Sequence, residues 1–181
     1  MLGSSSTSDK ARVAAPRTLH SHHVRGVTEA LQTYAQRGAF RSFSEGNLRL
    51  GKVTYRMQWH YNRTYRLILD LEAQSLLIPE MLPGVPPKSP MTRELRAFLK
   101  PFGTDQVPEH RRLDPAKGEL RLSQYRRALS LRVDVRQQEY VYCARKLVHV
   151  AHEVFMVFLR EGPYYEYRVE QLGLDPDVAW A

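Results

Sequence analysis

The sequence predicts an α+β fold: an antiparallel β-sheet with a long central hairpin and helices packed on one face. Three observations predict it. In Val53–Glu72, Val53, Tyr55, Met57, Trp59 and Tyr61, then Tyr65, Leu67, Leu69 and Leu71, are apolar, with Thr54, Arg56, Gln58, His60, Arg66, Asp70 and Glu72 between them. Only Ile68 interrupts the second run, and a period of two over this length describes two strands, each with one buried and one wetted face. A second alternation sets Leu129, Leu131, Val133 and Val135 against Ser130, Arg132, Asp134 and Arg136. Finally, Gln138–Glu161 carries Tyr140, Val141, Ala144, Leu147, Val148, Ala151, Phe155, Phe158 and Leu159 as a wide helical stripe. A stripe of that width covers a sheet.

Taken in order, residues 1–19 read as a flexible basic tail and 20–181 as a single domain. The tail is rich in Ser and Ala and nearly free of acid, a composition that a mitochondrial presequence shares. Val24, Val27, Leu31 and Tyr34 then recur at helical spacing, which places a first helix over Ser21–Arg37, capped by Gly38. Phe40, Phe43, Leu48 and Leu50 mark a short strand region broken at Glu45-Gly46-Asn47. Apolar parity then switches from Leu48 and Leu50 to Val53, which predicts a bulge near Gly51-Lys52.

The hairpin register follows from parity, because both buried sets must share a face. A three-residue loop, Asn62-Arg63-Thr64, pairs Tyr61 with Tyr65, Trp59 with Leu67, Met57 with Leu69 and Tyr55 with Leu71. It also sets Arg56 opposite Asp70, a favourable cross-strand charge pair. Leu76-Leu77-Ile78 is too short to assign. Pro79–Pro90 holds Pro79, Pro83, Pro86, Pro87 and Pro90 and reads as a stiff connector. Ser89 caps a second helix with Pro90 at its first position and Met91, Leu95, Phe98 and Leu99 on one face, ended by Pro101. Phe102–Lys117 is a polar linker, and Leu120 and Leu122 open a strand that turns at Arg126-Arg127. After the long helix, Gly162-Pro163 starts a short helix that Gly173 closes.

Composition bounds the function. The chain has 181 residues, a net charge of +8 and a single cysteine. One domain with a sizeable core fits that length. The charge allows a polyanionic partner. Cys143 excludes an internal disulfide and suits a reducing compartment, so the expected location is the cytoplasm. No run approaches the roughly 18 apolar residues of a membrane span.

The order of elements over Ser21–Leu172 resembles the small α/β domain of type III secretion chaperones and YbjN-like bacterial proteins. The resemblance is one of element order and carries no motif. It implies a homodimeric or partner-binding module without chemistry.

Candidate chemistry is sparse. His149, His152 and Glu153 sit at i, i+3 and i+4, so they share a helix face where they could converge on one metal ion. They match neither zincin motif, and the expectation is hydrogen bonding at the border of the apolar stripe, with no cofactor. His110 and Glu109 would be the further ligands of such a site. His20, His22 and His23 cluster near the first helix and read as solvated. Cys143 reads as a small buried hydrophobe. No phosphate loop, nucleophile elbow or dinucleotide fingerprint is present.

Basic residues remain. Arg56, His60, Arg66, Arg132 and Arg136 fall on the expected wet face, where they would meet a partner protein or nucleic-acid phosphates. Strand aromatics fall on the core side, which leaves no stacking platform for bases. The reading is a non-enzymatic binding or regulatory domain acting through protein contacts as a homodimer, with nucleic-acid binding the alternative and a metal-dependent enzyme the third.

Overall fold

A computed structural model of the chain describes residues 15–177. Most of the expected tail, and Trp180, lie outside them. The first helix, α1 (Ala15–Gln36), begins before the expected Ser21 and buries Val27, Ala30 and Leu31. The Ala39 N–H donates to the Tyr34 carbonyl and the Gly38 N–H to the Ala35 carbonyl, both at 3.0 Å. Gly38 has φ +77°, so this is a paired-bond cap that needs glycine there.

Six strands follow in one antiparallel sheet: β1 (Ser42–Glu45), β2 (Lys52–Gln58), β3 (Thr64–Asp70), β4 (Ser75–Pro83), β5 (Gly118–Tyr125) and β6 (Ala128–Val135). Their spatial order is β1-β2-β3-β4-β6-β5, so β4 lies inside the sheet between β3 and β6. α2 (Pro90–Leu99) lies between β4 and β5, and α3 (Tyr140–Glu153) and α4 (Tyr165–Glu170) follow β6. The α+β class, with helices against one face, is as the alternations predict.

The faces of the central hairpin also agree. Val53, Tyr55, Met57, Trp59, Tyr65, Leu67, Leu69 and Leu71 are all buried. Its register does not agree. Tyr55 pairs with Leu67 and Met57 with Tyr65, whereas Arg56 faces Arg66. Asp70 pairs instead with Lys52, whose ammonium lies 2.9 Å from its carboxylate. The cause is a turn centred two residues earlier, on Tyr61 instead of Arg63. The Trp59 N–H donates to the Arg63 carbonyl at 2.9 Å, closing a turn over His60–Asn62 in which Tyr61 and Asn62 are both left-handed at φ 55°. Parity survives because odd residues still pair with odd.

Two further expectations are corrected. Leu48 and Leu50 are 43% and 93% exposed and lie in no strand. The parity switch is a two-residue turn, Leu50-Gly51, both with positive φ, closed by reciprocal 2.9 Å bonds between Arg49 and Lys52. The proline-rich connector is also shorter than expected, because β4 runs through Pro79 to Pro83. Between Ile78 and Leu82 the pairing with β6 shifts, with Glu80 at φ 49° and its N–H donating to Ser130 Oγ at 3.0 Å. Proline is tolerated at such an irregularity, where the missing N–H breaks no regular ladder bond.

α2 starts as expected, with Ser89 Oγ accepting the Thr92 N–H at 3.3 Å and Pro90 at the first position. Its ring pair Phe98–Phe158, 5.4 Å between centroids, ties it to the far end of the long helix. The linker after it is anchored rather than free, since Phe102 and Leu113 are buried.

α3 changes winding midway, continuing as a π-helix over Val154–Leu159. Widening the turn brings Val154, Phe155, Phe158 and Leu159 all into the core. They join Leu147, Val150 and Ala151 over the inner sheet face of Tyr55, Leu67, Leu76, Leu131 and Val133. Burying one such side chain contributes roughly 1.5–3 kcal/mol. A polar tie crosses the same interface. The Tyr55 hydroxyl meets Thr28 Oγ1 at 3.1 Å, and Thr28 donates to Glu45 at 2.9 Å. Among the described residues no helix is long and apolar enough to cross a membrane.

Candidate functional site

The β2–β3 loop, the C-terminal cap of α1, the outer turns of α3 and the segment after α4 enclose a cleft of about 780 Å³. The loop is held from several sides. Asn62 Oδ1 accepts from Gln58 Nε2 at 2.8 Å and from Arg41 Nη1 at 3.1 Å, while Arg63 donates to the Gln171 carbonyl at 2.9 Å. Asn tolerates the left-handed region through such bonds, but an aromatic residue such as Tyr61 is rare there. Strained backbone and a π-helix turn are both features that gather at functional sites. Here they meet at one place.

The cleft wall is aromatic. The Trp59 and His152 rings stack with 13° between planes at 6.2 Å, and the His60 ring lies 4.6 Å from Trp59, 5.1 Å from His152 and 4.5 Å from Phe155. His60 Nε2 is 3.1 Å from His152 Nδ1, so one imidazole donates to the other. Burial, and then the adjacent His152, hold the His60 imidazole down to about 4. Burial lowers His149 as well, against the pull of Glu153. Tyr34, Val148, Arg41 and Asp175 complete the lining, which contains no Ser, Thr, Cys or Lys.

The sequence-derived candidates separate. His149 and Glu153 stay together, with His149 Nε2 3.5 Å from the carboxylate, and Glu153 also accepts from Arg111 Nη2 at 2.7 Å. That separation is an ion-pair distance only, and the buried His149 Nε2 makes no hydrogen bond. His152 turns away to His60. Among the described residues no group of three or more His, Cys, Asp or Glu side chains is placed to hold a metal ion. His110 lines a different hollow with Tyr142 and Lys146. His23 bonds Gln138 at 3.1 Å and rests on Tyr140.

His60 was expected on the wet face and is not there, because the earlier turn takes it out of the strand and round to the helix side. Arg56 and Arg66 do share the open face as cross-strand neighbours. Arg132 pairs with Asp134, and Arg136 with Glu119 at 3.0 Å, so carboxylates offset the positive charge on that side of the sheet. Cys143 is buried, its Sγ is 3.3 Å from the Lys117 carbonyl, and burial pushes the thiol up to about 12. A thiol so placed is not a nucleophile.

Arg41 and Asp175 carried no signal in the sequence, since each joins the cleft through a loop whose course depends on the whole fold, and Tyr34 was marked only as part of the first helix's apolar face. Trp59 carried half of one: its parity marks it as buried, while its second role as cleft wall comes from the loop. Geometry thus defines an α+β domain with an aromatic cleft at one end of its helical layer. Comparison of the chain with models of known families, with curated proteins and with solved structures finds no match.

Proposed function

We propose that the chain is a binding domain without chemistry of its own, acting through protein contacts, and that its cleft seats an apolar or aromatic side chain of the partner. The observation that carries this is the wall of half-buried His60 and exposed His152, backed by the buried Trp59 ring, on a cleft of about 780 Å³. Ring-on-ring contact adds about 0.5–1.5 kcal/mol beyond the area buried. Because the His60 imidazole is held near 4, it is uncharged at neutral pH, and a guest beside it displaces no ionic hydration. The lining offers no hydroxyl, thiol or amine nucleophile other than tyrosine phenols, which favours binding over covalent catalysis. A homodimer is the case in which the partner is a second copy, and a reducing, cytoplasmic setting suits the free Cys143.

Calorimetry tests the proposal, with peptides bearing Trp, Phe or Leu titrated into the chain and the chain diluted from concentrated stock for self-association. Saturable heat from aromatic peptides or from dilution is expected. It should vanish in Ala39→Phe, which fills the cleft from an exposed position. Equal heats in that variant, or none in the native chain, would contradict it.

A further inference from the structure

We propose that a second groove, between α2 and the outer edge of β5, docks an extended acidic segment of a partner protein as an added strand. This groove, of about 870 Å³, shares no residue with the aromatic cleft. Residues Gly118, Glu119, Leu120, Arg121 and Leu122 line it without a gap. Successive strand side chains point to opposite faces, so an unbroken run means that the groove follows the strand's edge.

That edge is open. Among the described residues β5 pairs only with β6. The Arg136 N–H donates to the Lys117 carbonyl at 2.8 Å, which fixes the phase of the ladder. By the alternation of antiparallel pairs, Glu119 and Arg121 bond β6 while the backbone groups of Leu120 and Leu122 point outward. Gly118 obeys the same phase, its N–H turning away to the Asp114 carbonyl at 3.1 Å.

Charge selects the occupant. Arg93 and Arg96 of α2 and Lys100 just after it share one face at i, i+3 and i+7, all exposed and, among the described residues, without an ion pair. On the β5 side Arg121 and Arg136 share Glu119, the one carboxylate in the lining, at 3.3 and 3.0 Å, and Arg121 also meets Asp134 at 2.5 Å. The groove is therefore positive on its α2 wall and close to balanced on its β5 wall, over apolar Leu99, Leu113 and Leu122. An acidic strand satisfies all three features: carboxylates meet the arginines, alternate side chains meet the leucines, and its amides pair with the edge. Nucleic acid fits less well, because no aromatic ring lines the groove for base stacking and the outward carbonyls oppose phosphate.

The test is fluorescence anisotropy of a labelled extended peptide of alternating Glu and Val, titrated with the full chain. Its Gln–Val counterpart, a version N-methylated at the amides of one edge, and oligo(dT) run beside it. Binding of the Glu–Val peptide is expected. A loss of about tenfold or more is expected for the Gln–Val peptide, for the N-methylated peptide and for the Arg93→Glu/Arg96→Glu variant. An unchanged thermal midpoint shows that the variant folds, and Lys100→Glu supplies a second, independently exposed change. No binding, or binding indifferent to these substitutions or to N-methylation, would overturn the proposal. Tighter binding of oligo(dT) through the same arginines would also overturn it and give the groove to nucleic acid.

Discussion

Trp59 bears on both the stability and the proposed function. It is 8% exposed and touches Phe40, Tyr65 and Phe155. Trp59→Ala leaves a large cavity at the end of the sheet, so denaturant unfolding should show a loss of about 3–5 kcal/mol. A loss below about 1 kcal/mol would mean that the ring is not in the core. His60 beside it links stability to pH. Its folded imidazole titrates at about 4, below the roughly 6.5 of a free histidine. Between those values the unfolded chain binds more protons, so the contribution is complete above about pH 6.5 and is lost as pH falls toward 4. Against a His60→Gln control, which flattens this slope, the native chain should lose about 1–3 kcal/mol across that window.

Elements show what local pattern can and cannot carry. The alternation of Val53–Leu71 identifies both strands and their buried faces, because one sheet face meets the helices and the other meets water. The register depends on the loop, where Tyr61 and Asn62 adopt φ 55° held by Gln58, Arg41 and Arg63. No local rule assigns a left-handed tyrosine, so the shift from Tyr55–Leu71 to Tyr55–Leu67 was not legible. Pro79 hid β4 for a related reason, since only the irregularity opposite Ser130 makes a proline acceptable inside a sheet. Ser89-Pro90 was legible because a cap is wholly local. Ser89→Ala should cost roughly 0.5–2 kcal/mol by thermal or denaturant melts. The Leu50-Gly51 turn gives the opposite sign. Leu50 is 93% exposed at φ 48°, and Leu50→Asn should raise stability by about 1 kcal/mol, since Asn is far better suited to that position. A measured destabilisation would show that Leu50 makes contacts in the folded monomer.

For the whole molecule, the α+β class and the covering of one sheet face follow from periodicity alone, whereas the cleft does not. It arises where four separate segments meet: the α1 cap at Gly38, the β2–β3 loop, the outer turns of α3 at Val148–His152 and the turn at Gly173. Sequence grouped His149, His152 and Glu153 by their spacing, yet tertiary placement gives His152 to His60 and Glu153 to Arg111. As proposed above, this aromatic cleft receives the chain's partner. Side-chain NMR of the Trp59 indole and of the His60, His149 and His152 imidazoles, recorded while a tryptophan-bearing peptide is added, tests it most directly. Saturable shifts concentrated on those four rings, and lost in Ala39→Phe, are the predicted result. Shifts that map elsewhere, or rings that do not respond at saturating peptide, would contradict it.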